Sequence, residues 1–138
     1  MTEPHDLSSA IEALPGANVM VIGDLMLDRF VYGEVERISP EAPVPVVLVG
    51  GEEAMLGGAG NVVRNLISLG AEVCFVAVVG DDQTGRDLIA MVAEEKSVEP
   101  YVLVERRRRS TTKVRYIAGG QQLLRADRET DTAVEEAT

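Results

Sequence analysis

The sequence contains few of the residues that build metal clusters, disulfide frameworks or membrane spans. A single cysteine, Cys74, excludes an internal disulfide, and a single histidine, His5, leaves no material for a Cys/His metal cluster. His5 also lies close to the N-terminus, which argues against a Ser-His-Asp triad. No apolar run approaches the roughly 18 residues of a membrane span, and the first residues lack the basic start and apolar stretch of a signal peptide. We therefore expect a soluble, cytoplasmic protein with no membrane partner and no metal site.

Basic residues are outnumbered by acidic ones. Thirteen Lys and Arg against twenty-three Asp and Glu give a formal net charge of −10, which argues against nucleic acid as a partner because such binding depends on cationic contacts to phosphate. Hydrophobic residues make up 46% and charged residues 26% of the chain, a globular composition. A length of 138 residues corresponds to one domain or part of one.

The middle of the chain alternates between strand and helix patterns. After a short helix predicted over residues 7–14, residues 19–22 form an apolar run closed by glycine, which predicts a strand buried on both faces. Helices are predicted over residues 61–69 and 81–95, with an apolar strand at 72–79 between them. This alternation predicts an α/β fold with parallel strand pairing.

Two other parts of the chain have more polar strand patterns. Residues 30–34 and 45–49 are extended candidates on either side of a proline-containing loop at 37–43. Short strands are predicted at 100–105, 111–118 and 121–126, with Gly119-Gly120 as a hairpin turn. These last three strands are too polar for a central sheet, so we expect them in a smaller, half-exposed sheet. Residues 127–138 are acidic and carry little apolar content.

Two carboxylates, Asp24 and Asp28, follow the first predicted strand. Ligands of open α/β sheets gather at the carboxyl ends of strands. The plain interpretation is a helix cap or a turn. A phosphatase-like acid pair is excluded because Met26 occupies the place of the second acid. The remaining functional interpretation is a pair of acceptors for sugar hydroxyls, since each carboxylate accepts several hydrogen bonds.

The glycine cluster at residues 57–60 precedes a predicted helix. It does not fit the dinucleotide-binding pattern, because Arg64 stands where a third glycine is needed, and no Gly-Lys-Ser/Thr of a phosphate-binding P-loop follows. A tight loop before a helix is the structural interpretation. The alternative is that bare backbone at Gly57 and Gly58 lets a substrate approach the helix start, with Asn61 contacting a hydroxyl or serving only as a helix cap.

The cationic residues of the last third divide into two groups. The arginine run at 106–109 is typical of a solvated loop. Lys113 and Arg115 alternate onto one face of a predicted strand, where they could hold a phosphate or form a solvated face. Cys74 lies within an apolar strand and is expected to be inert core.

Three glycine-anchored blocks resemble the first signature of the ribokinase-like (PfkB-type) carbohydrate kinases. They are Gly57-Gly58-Ala59-Gly60-Asn61, Gly70 and Gly80. One position departs from the signature, because Val63 stands where Ser, Thr or Ala is expected. Residues 80–85 also resemble the family's turn before its next helix, and the resemblance runs from about Asn18 to Asp127.

Within the family, several stretches are similar to the branch that phosphorylates D-glycero-β-D-manno-heptose 7-phosphate. The matching stretches are residues 22–29, 37–46, 112–115 and 121–127. The resemblance implies a Rossmann-like α/β/α core, only part of which this chain would contain, with a small β-sheet lid formed by residues of about 30–50 and 110–126. It also implies transfer of the ATP γ-phosphate, with Mg²⁺, to the anomeric hydroxyl of that heptose phosphate, on the route to ADP-heptose and lipopolysaccharide core.

The resemblance also implies roles for individual residues. Asp28 falls at the family's sugar-binding aspartate with Asp24 beside it, and Gly57, Gly58 and Asn61 fall at its sugar-contacting loop. Lys113 and Arg115 fall in its lid strands, where we expect contacts to the substrate phosphate. Lids of such kinases often pair between two subunits, so a homodimer through the lid strands is an expected partner arrangement.

The family's second signature, a Gly-Ala-Gly-Asp segment that supplies the catalytic base and an anion hole, does not occur in this sequence. We therefore expect residues 1–138 to be the N-terminal part of a kinase domain, with most of the nucleotide site elsewhere. On this basis the chain alone is expected to be inactive and poorly stable, with an unpaired sheet edge and uncovered apolar helix faces. A non-enzymatic ligand-binding or dimerisation module, and a PfkB-type kinase for another sugar, remain as alternatives.

Overall fold

A computed structural model describes residues 7–135, so His5 and residues 136–138 lie outside the described range. The elements are α1 (Leu7–Glu12), β1 (Asn18–Ile22), β2 (Leu25–Ile38), β3 (Pro45–Gly58), α2 (Ala59–Ser68), β4 (Glu72–Gly80), α3 (Gln83–Ala93), β5 (Val98–Glu105), β6 (Thr111–Ala118) and β7 (Gln121–Arg128). Across the described range, none of the helices has the length and apolar character to span a bilayer.

The strands form two sheets. The core sheet has the order β1-β4-β5, and both of its pairings are parallel, which confirms the α/β prediction. Helices α2 and α3 pack against the core around the fully buried Phe75, joined by Val63 and Leu88. The assignment of residues 100–105 to the smaller polar sheet is wrong, because β5 pairs along its whole length with β4. Its polar character reflects its position at the sheet edge.

Strand β1 is not buried on both faces as its apolar run predicts. It is an edge strand, and the side chains of Met20 and Ile22 are 64% and 72% exposed. The same face carries the half-buried Cys74 of β4 and, on β5, the exposed Tyr101 and Leu103. The uncovered apolar surface therefore lies on one face of the core sheet. The prediction had instead placed it on helix faces.

The second sheet, the lid sheet, has the order β3-β2-β6-β7, with β2 and β6 parallel and the other pairings antiparallel. Strands β2 and β3 are 14 residues long, far longer than the predicted segments at 30–34 and 45–49. The extra length extends the start of β2 and the end of β3 into the core, where Leu25, Leu27 and Leu56 are buried. Gly119 and Gly120 have positive φ angles of 57° and 75° and form the predicted hairpin turn between β6 and β7.

The chain passes between the two sheets at three places. Strand β1 leads into β2 through Gly23-Asp24, β3 leads into α2 at Gly58, and β5 leads into β6 through residues 106–110. The glycine cluster is thus the end of strand β3 followed at once by helix α2. The sequence had instead predicted a separate turn before the helix. Gly58 is the N-cap of α2, so the alternative role of Asn61 as a cap is wrong.

Candidate functional site

Asp28 and the two predicted lid cations share one face of the lid sheet, which we call the lid face. Asp28 is the register partner of Lys113, and Phe30 is the register partner of Arg115. Register partners on neighbouring strands project to the same side of a sheet. The Arg115 Nη1 atom lies 2.5 Å from Oδ1 of Asp28, and its guanidinium lies 5.1 Å from the centre of the Phe30 ring. The lid face therefore carries a half-buried acid–base pair braced by an aromatic ring.

Gly57 provides the space that the Asp28 carboxylate occupies. A Cβ atom built on Gly57 would clash with Oδ2 of Asp28 and would lie 2.7 Å from its Cγ atom. Real Cβ contacts are never that short, so any larger residue here must displace the carboxylate or the strand. The Asp28 carboxylate therefore packs directly against the backbone of the glycine segment.

Gly58 and Asp24 meet through the main chain. Gly58 has a positive φ of 57°, and a Cβ there would lie 2.5 Å from the Asp24 carbonyl oxygen. That oxygen accepts a hydrogen bond of 2.9 Å from the N–H of Ala59, the first residue of α2. The carbonyl, and not the carboxylate, therefore ties the β1–β2 connection to the helix start. Asp24 is exposed, which leaves its carboxylate available to solvent.

Asn61 occupies the first turn of α2 and is exposed. Among residues 7–135 no partner hydrogen-bonds to its side chain. Its role in ligand binding stays a prediction.

Both lid cations are paired with acids. Lys113 Nζ lies 2.9 Å from Asp127 Oδ2 and 3.4 Å from Glu129 Oε2, and its side chain is only 18% exposed. The hydrogen bond to Asp127 raises the pKa of Lys113, and the same bond lowers the pKa of Asp127. These cations therefore do not form a solvated face. A ligand phosphate would have to replace or join carboxylates already in place.

A cleft of about 240 Å³ lies between the base of the lid face and the carboxyl end of the core sheet. Asp24 and Val78 come from the core side, and Met26, Thr111 and Lys113 from the lid side. The segment after β7 closes it with Glu129, Thr130 and Asp131, and the β5–β6 connection contributes Arg108 and Arg109. Among the seven predicted site residues, Asp24 and Lys113 line this cleft, while Asp28, Gly57 and Arg115 lie beside it on the lid face.

The arginine run at 106–109 is not simply a solvated loop, because Arg108 is folded into the structure. Its side chain is only 14% exposed and pairs with Glu105, which is itself buried. Its Nη2 and Nη1 atoms donate to the carbonyl oxygens of Thr132 and Thr130, at 2.8 and 3.3 Å. Arg106, Arg107 and Arg109 are exposed, as predicted.

Glu105 anchors the segment after β7, which we call the strap (residues 129–135). Its Oε1 atom accepts a hydrogen bond of 2.7 Å from the N–H of Glu135. This bond, reinforced by Arg108, holds the pKa of Glu105 below its ordinary value despite burial. The strap therefore returns from the lid sheet to the end of β5 and closes one side of the cleft.

Asp82 and Ser110 fix the other end of the same connection. Burial works to raise the pKa of Asp82, but hydrogen bonds from Ser110 and Gly85 outweigh it and lower the pKa. Its two oxygens accept from the N–H groups of Gly85, at 2.8 Å, and Ser110, at 3.0 Å. The buried Ser110 hydroxyl accepts from the N–H of Gly80 at 2.9 Å. One aspartate therefore caps α3 and holds the entry to β6.

Sequence reasoning missed Glu105, Arg108 and Ser110. The spacing of Glu105 and Arg108 was the available signal for that pair, since they stand three positions apart in the sequence, but the charge run around Arg108 hid it. No local pattern announces Ser110, whose partners lie 28 and 30 residues away.

Within the described range no group of three or more His, Cys, Asp or Glu side chains is arranged to hold a metal ion.

Comparison with a library of family models gives a match over residues 17–137 to the pfkB family carbohydrate kinases. Similar curated proteins include the bifunctional protein HldE of Acidiphilium cryptum, 63% identical over 124 residues and covering 90% of this chain. The HldE protein of Paramagnetospirillum magneticum is 56% identical and covers 99% of the chain. The chain spans only 26% and 28% of the length of these two relatives.

Solved structures with a similar fold include sugar kinases. A carbohydrate kinase from Agrobacterium tumefaciens aligns with a TM-score of 0.64 at 26% identity, covering 81% of this chain and 35% of that one. An Arabidopsis thaliana ribokinase complexed with ribose and ATP aligns with a TM-score of 0.58 at 18% identity, covering 84% and 36%. The second likeness is one of fold alone.

Proposed function

Because the chain belongs to the pfkB family of carbohydrate kinases, we propose that it is the sugar-phosphate-binding portion of a heptose kinase. The kinase transfers the ATP γ-phosphate to the anomeric hydroxyl of D-glycero-β-D-manno-heptose 7-phosphate. The observation that carries the proposal is the Asp28 carboxylate, seated over the bare backbone of Gly57 and beside Lys113 and Arg115. Its similarity to HldE proteins supports the heptose branch, although the chain spans only about a quarter of their length.

Asp28 and Asp24 are the proposed acceptors for sugar hydroxyls. A carboxylate offers about four acceptor positions, and in Asp28 the bond from Arg115 uses one of them. Arg115 also fixes the orientation of the carboxylate. Gly57 and Gly58 are proposed to border the sugar, with the Asp28 carboxylate and the Met26 side chain filling the space that a Cβ would take, and Asn61 contacts a further hydroxyl.

Lys113 and Arg115 are the proposed contacts to the 7-phosphate. Both are cations on the lid face, and phosphate oxygens accept strong charge-assisted hydrogen bonds from such cations. In this proposal, phosphate binding draws Lys113 away from Asp127 and Glu129. The lid acids thus hold the lysine in place until the ligand arrives.

The catalytic base and most of the ATP site are proposed to lie in sequence that this chain does not contain, because it has no Gly-Ala-Gly-Asp segment. Phosphoryl transfer depends on positioning and on charge stabilisation around the γ-phosphate. We therefore expect the chain alone to bind the sugar phosphate without turning it over. A cytoplasmic location, where ATP is available, is part of the proposal, and pairing of lid strands between two copies is the proposed route to a homodimer of the kinase.

Calorimetric titration of the chain with heptose 7-phosphate and with the unphosphorylated heptose tests the binding role. Asp28→Asn should weaken binding of both sugars by about 10-fold or more, because hydrogen bonds to a charged group are worth about 1.5–3 kcal/mol. Lys113→Ala should weaken binding of the phosphorylated sugar only. Lys96→Ala, which removes an exposed lysine outside the lid sheet, is the matched control.

Equal binding of both sugars by the wild-type chain, or equal effects of Lys113→Ala and Lys96→Ala, would refute the phosphate role. An assay for ADP release with ATP, Mg²⁺ and heptose 7-phosphate tests the proposed inactivity. Robust turnover by this chain would place the catalytic base among its own residues. Preference for another sugar would move the assignment to a different branch of the family.

A further inference from the structure

Arg109 differs from the other cations around the cleft. Arg108 is paired with Glu105, Lys113 with Asp127, and Arg115 with Asp28. Arg109 lines the same cleft, yet over residues 7–135 no carboxylate comes within 4.0 Å of its guanidinium and no side-chain hydrogen bond engages it. Its charge is therefore not neutralised by a contact inside the described structure.

The backbone that carries Arg109 is held on both sides. Its own N–H donates to Oγ1 of Thr130 at 2.9 Å. Before it, Arg108 is tied to Glu105 and to the strap. After it, Ser110 is buried and bonded to Gly80 and Asp82. The base of the side chain is thus fixed relative to the cleft, so little backbone ordering remains when a ligand binds.

The surroundings determine which ligand suits this guanidinium. Its planar fork matches the oxygens of a phosphate group, which it binds with two parallel hydrogen bonds. Asp24 lines the core side of the cleft and Glu129 and Asp131 line the strap side, where their carboxylates suit hydroxyl groups. The cleft therefore offers hydroxyl acceptors and an unpaired phosphate donor to the same small molecule.

We propose that Arg109 binds the phosphate group of a phosphorylated sugar in this cleft, as a contact additional to Lys113 and Arg115. This inference rests on the proposed function for the identity of the sugar. The anion contact itself rests on the cleft, the fixed backbone and the unpaired guanidinium.

The test compares Arg109→Gln with Arg107→Gln. The two substitutions remove the same charge from the same exposed run, so they change the long-range potential almost equally, but Arg107 does not line the cleft. Titrations use heptose 7-phosphate, the unphosphorylated heptose and inorganic phosphate. Arg109→Gln should weaken binding of the two phosphate compounds by about 10-fold or more, with Arg107→Gln close to wild type. Arg109→Lys should fall between, because lysine keeps the charge and loses the fork.

Each outcome decides one of the two claims. Heptose phosphate binding that is weakened equally by both glutamine variants overturns the role of Arg109 and leaves the proposed function standing. Arg109-dependent binding of inorganic phosphate, without binding of heptose phosphate, supports the anion contact and contradicts the proposed function. Failure of the wild-type chain to bind any of the phosphate compounds overturns the inference. Thermal melts of all variants identify any loss of folding.

Discussion

At the scale of single residues, the candidate site depends on close packing between a carboxylate and a bare backbone. Gly57 and Asp28 lie on neighbouring strands, and the side chain of one occupies the space left by the other. This arrangement fixes the carboxylate without a hydrogen bond from Gly57. It also makes the glycine sensitive to the smallest possible enlargement.

We predict that Gly57→Ala destabilises the chain by about 1–3 kcal/mol, the usual cost of overpacking. The new methyl group would clash with the Asp28 carboxylate and would lie 2.9 Å from Cγ of Met26. The matched control is Gly51→Ala in the same strand, where a Cβ meets nothing within 4 Å. Urea unfolding measures both. Equal unfolding midpoints for the two variants would contradict the prediction, because they would show that the Asp28 carboxylate moves aside without loss of stability.

Glu105 should make the stability of the fold depend on pH. Its pKa in the folded chain is below its ordinary value of 4.5, so the carboxylate stabilises the fold above that pH. The contribution is lost as the pH falls through the folded-state pKa, because protonation weakens the bonds to Glu135 and Arg108. We predict that Glu105→Gln lowers stability at neutral pH and flattens its decline below about pH 4.5.

Urea unfolding as a function of pH measures this difference. Glu36→Gln, at an exposed position of β2, is the control and should keep the wild-type slope. A Glu105→Gln variant with an unchanged acid profile would contradict the role of the anchor.

At the scale of elements, the connections between the two sheets decide where the site residues lie. Strands β2 and β6 both enter the lid sheet from the core, and the clasp of Asp82 and Ser110 sets where β6 begins. Lys113 stands three positions after Ser110 and is the third residue of β6. A shift of this connection by one residue would turn Lys113 to the opposite face of the lid sheet.

We predict that Asp82→Ala costs about 1–2 kcal/mol, as for other N-cap replacements, and also leaves the N–H of Ser110 without its acceptor. Asp81→Ala is the matched control, since Asp81 is 57% exposed and forms only a 3.6 Å ion pair with Arg86; its effect should stay within about 0.5 kcal/mol. Urea unfolding measures the free energy of unfolding of each variant. Hydrogen exchange of the Ser110 amide reports whether its bond to Asp82 is kept. An unchanged exchange rate of the Ser110 amide in Asp82→Ala would contradict the role of Asp82 in holding the start of β6.

Local patterns predicted most of the elements but not the assembly of the two sheets. Periodicity located β4, α3 and the Gly119-Gly120 hairpin because each is specified by neighbouring residues. It failed for β5, whose polar residues indicated the small sheet although pairing with β4 holds the strand in the core sheet. It also shortened β2 to residues 30–34, because Asp28 on one side and Glu36 and Arg37 on the other interrupt the apolar alternation within one continuous strand.

The candidate site divides in the same way. The resemblance implied that Asp28 and Gly57 serve the same site, and the structure brings these two residues into contact with Lys113 beside Asp28. The acid partners of the lid cations could not be predicted, because Asp127 reaches Lys113 only through the hairpin register. Arg108 was misjudged because four successive arginines look alike until the strap supplies carbonyl oxygens to one of them.

At the scale of the whole molecule, the core sheet is covered unequally. The buried residues Phe75, Ala77 and Val79 share the face on which the helices pack. Met20, Ile22, Tyr101 and Leu103 project from the opposite face with 42–72% of their surface exposed. An apolar patch on a sheet that also has free edges favours association between chains.

We predict that this face, which is uncovered in the chain alone, dominates the self-association of the chain over the lid pairing proposed for the kinase. Sedimentation velocity should show a mean mass above the 14.8 kDa monomer that rises with concentration. The double variant Ile22→Lys/Leu103→Lys should sediment as a monomer, because charge on the face opposes its burial. Ile38→Lys/Leu48→Lys adds the same charge at exposed apolar positions of the lid strands and is the matched control. If only the lid variant becomes monomeric, the chains pair through their lids and the core face is not the contact. A wild-type chain that stays monomeric at every concentration would contradict both routes, since neither the bare face nor the lid edges would then bring two copies together.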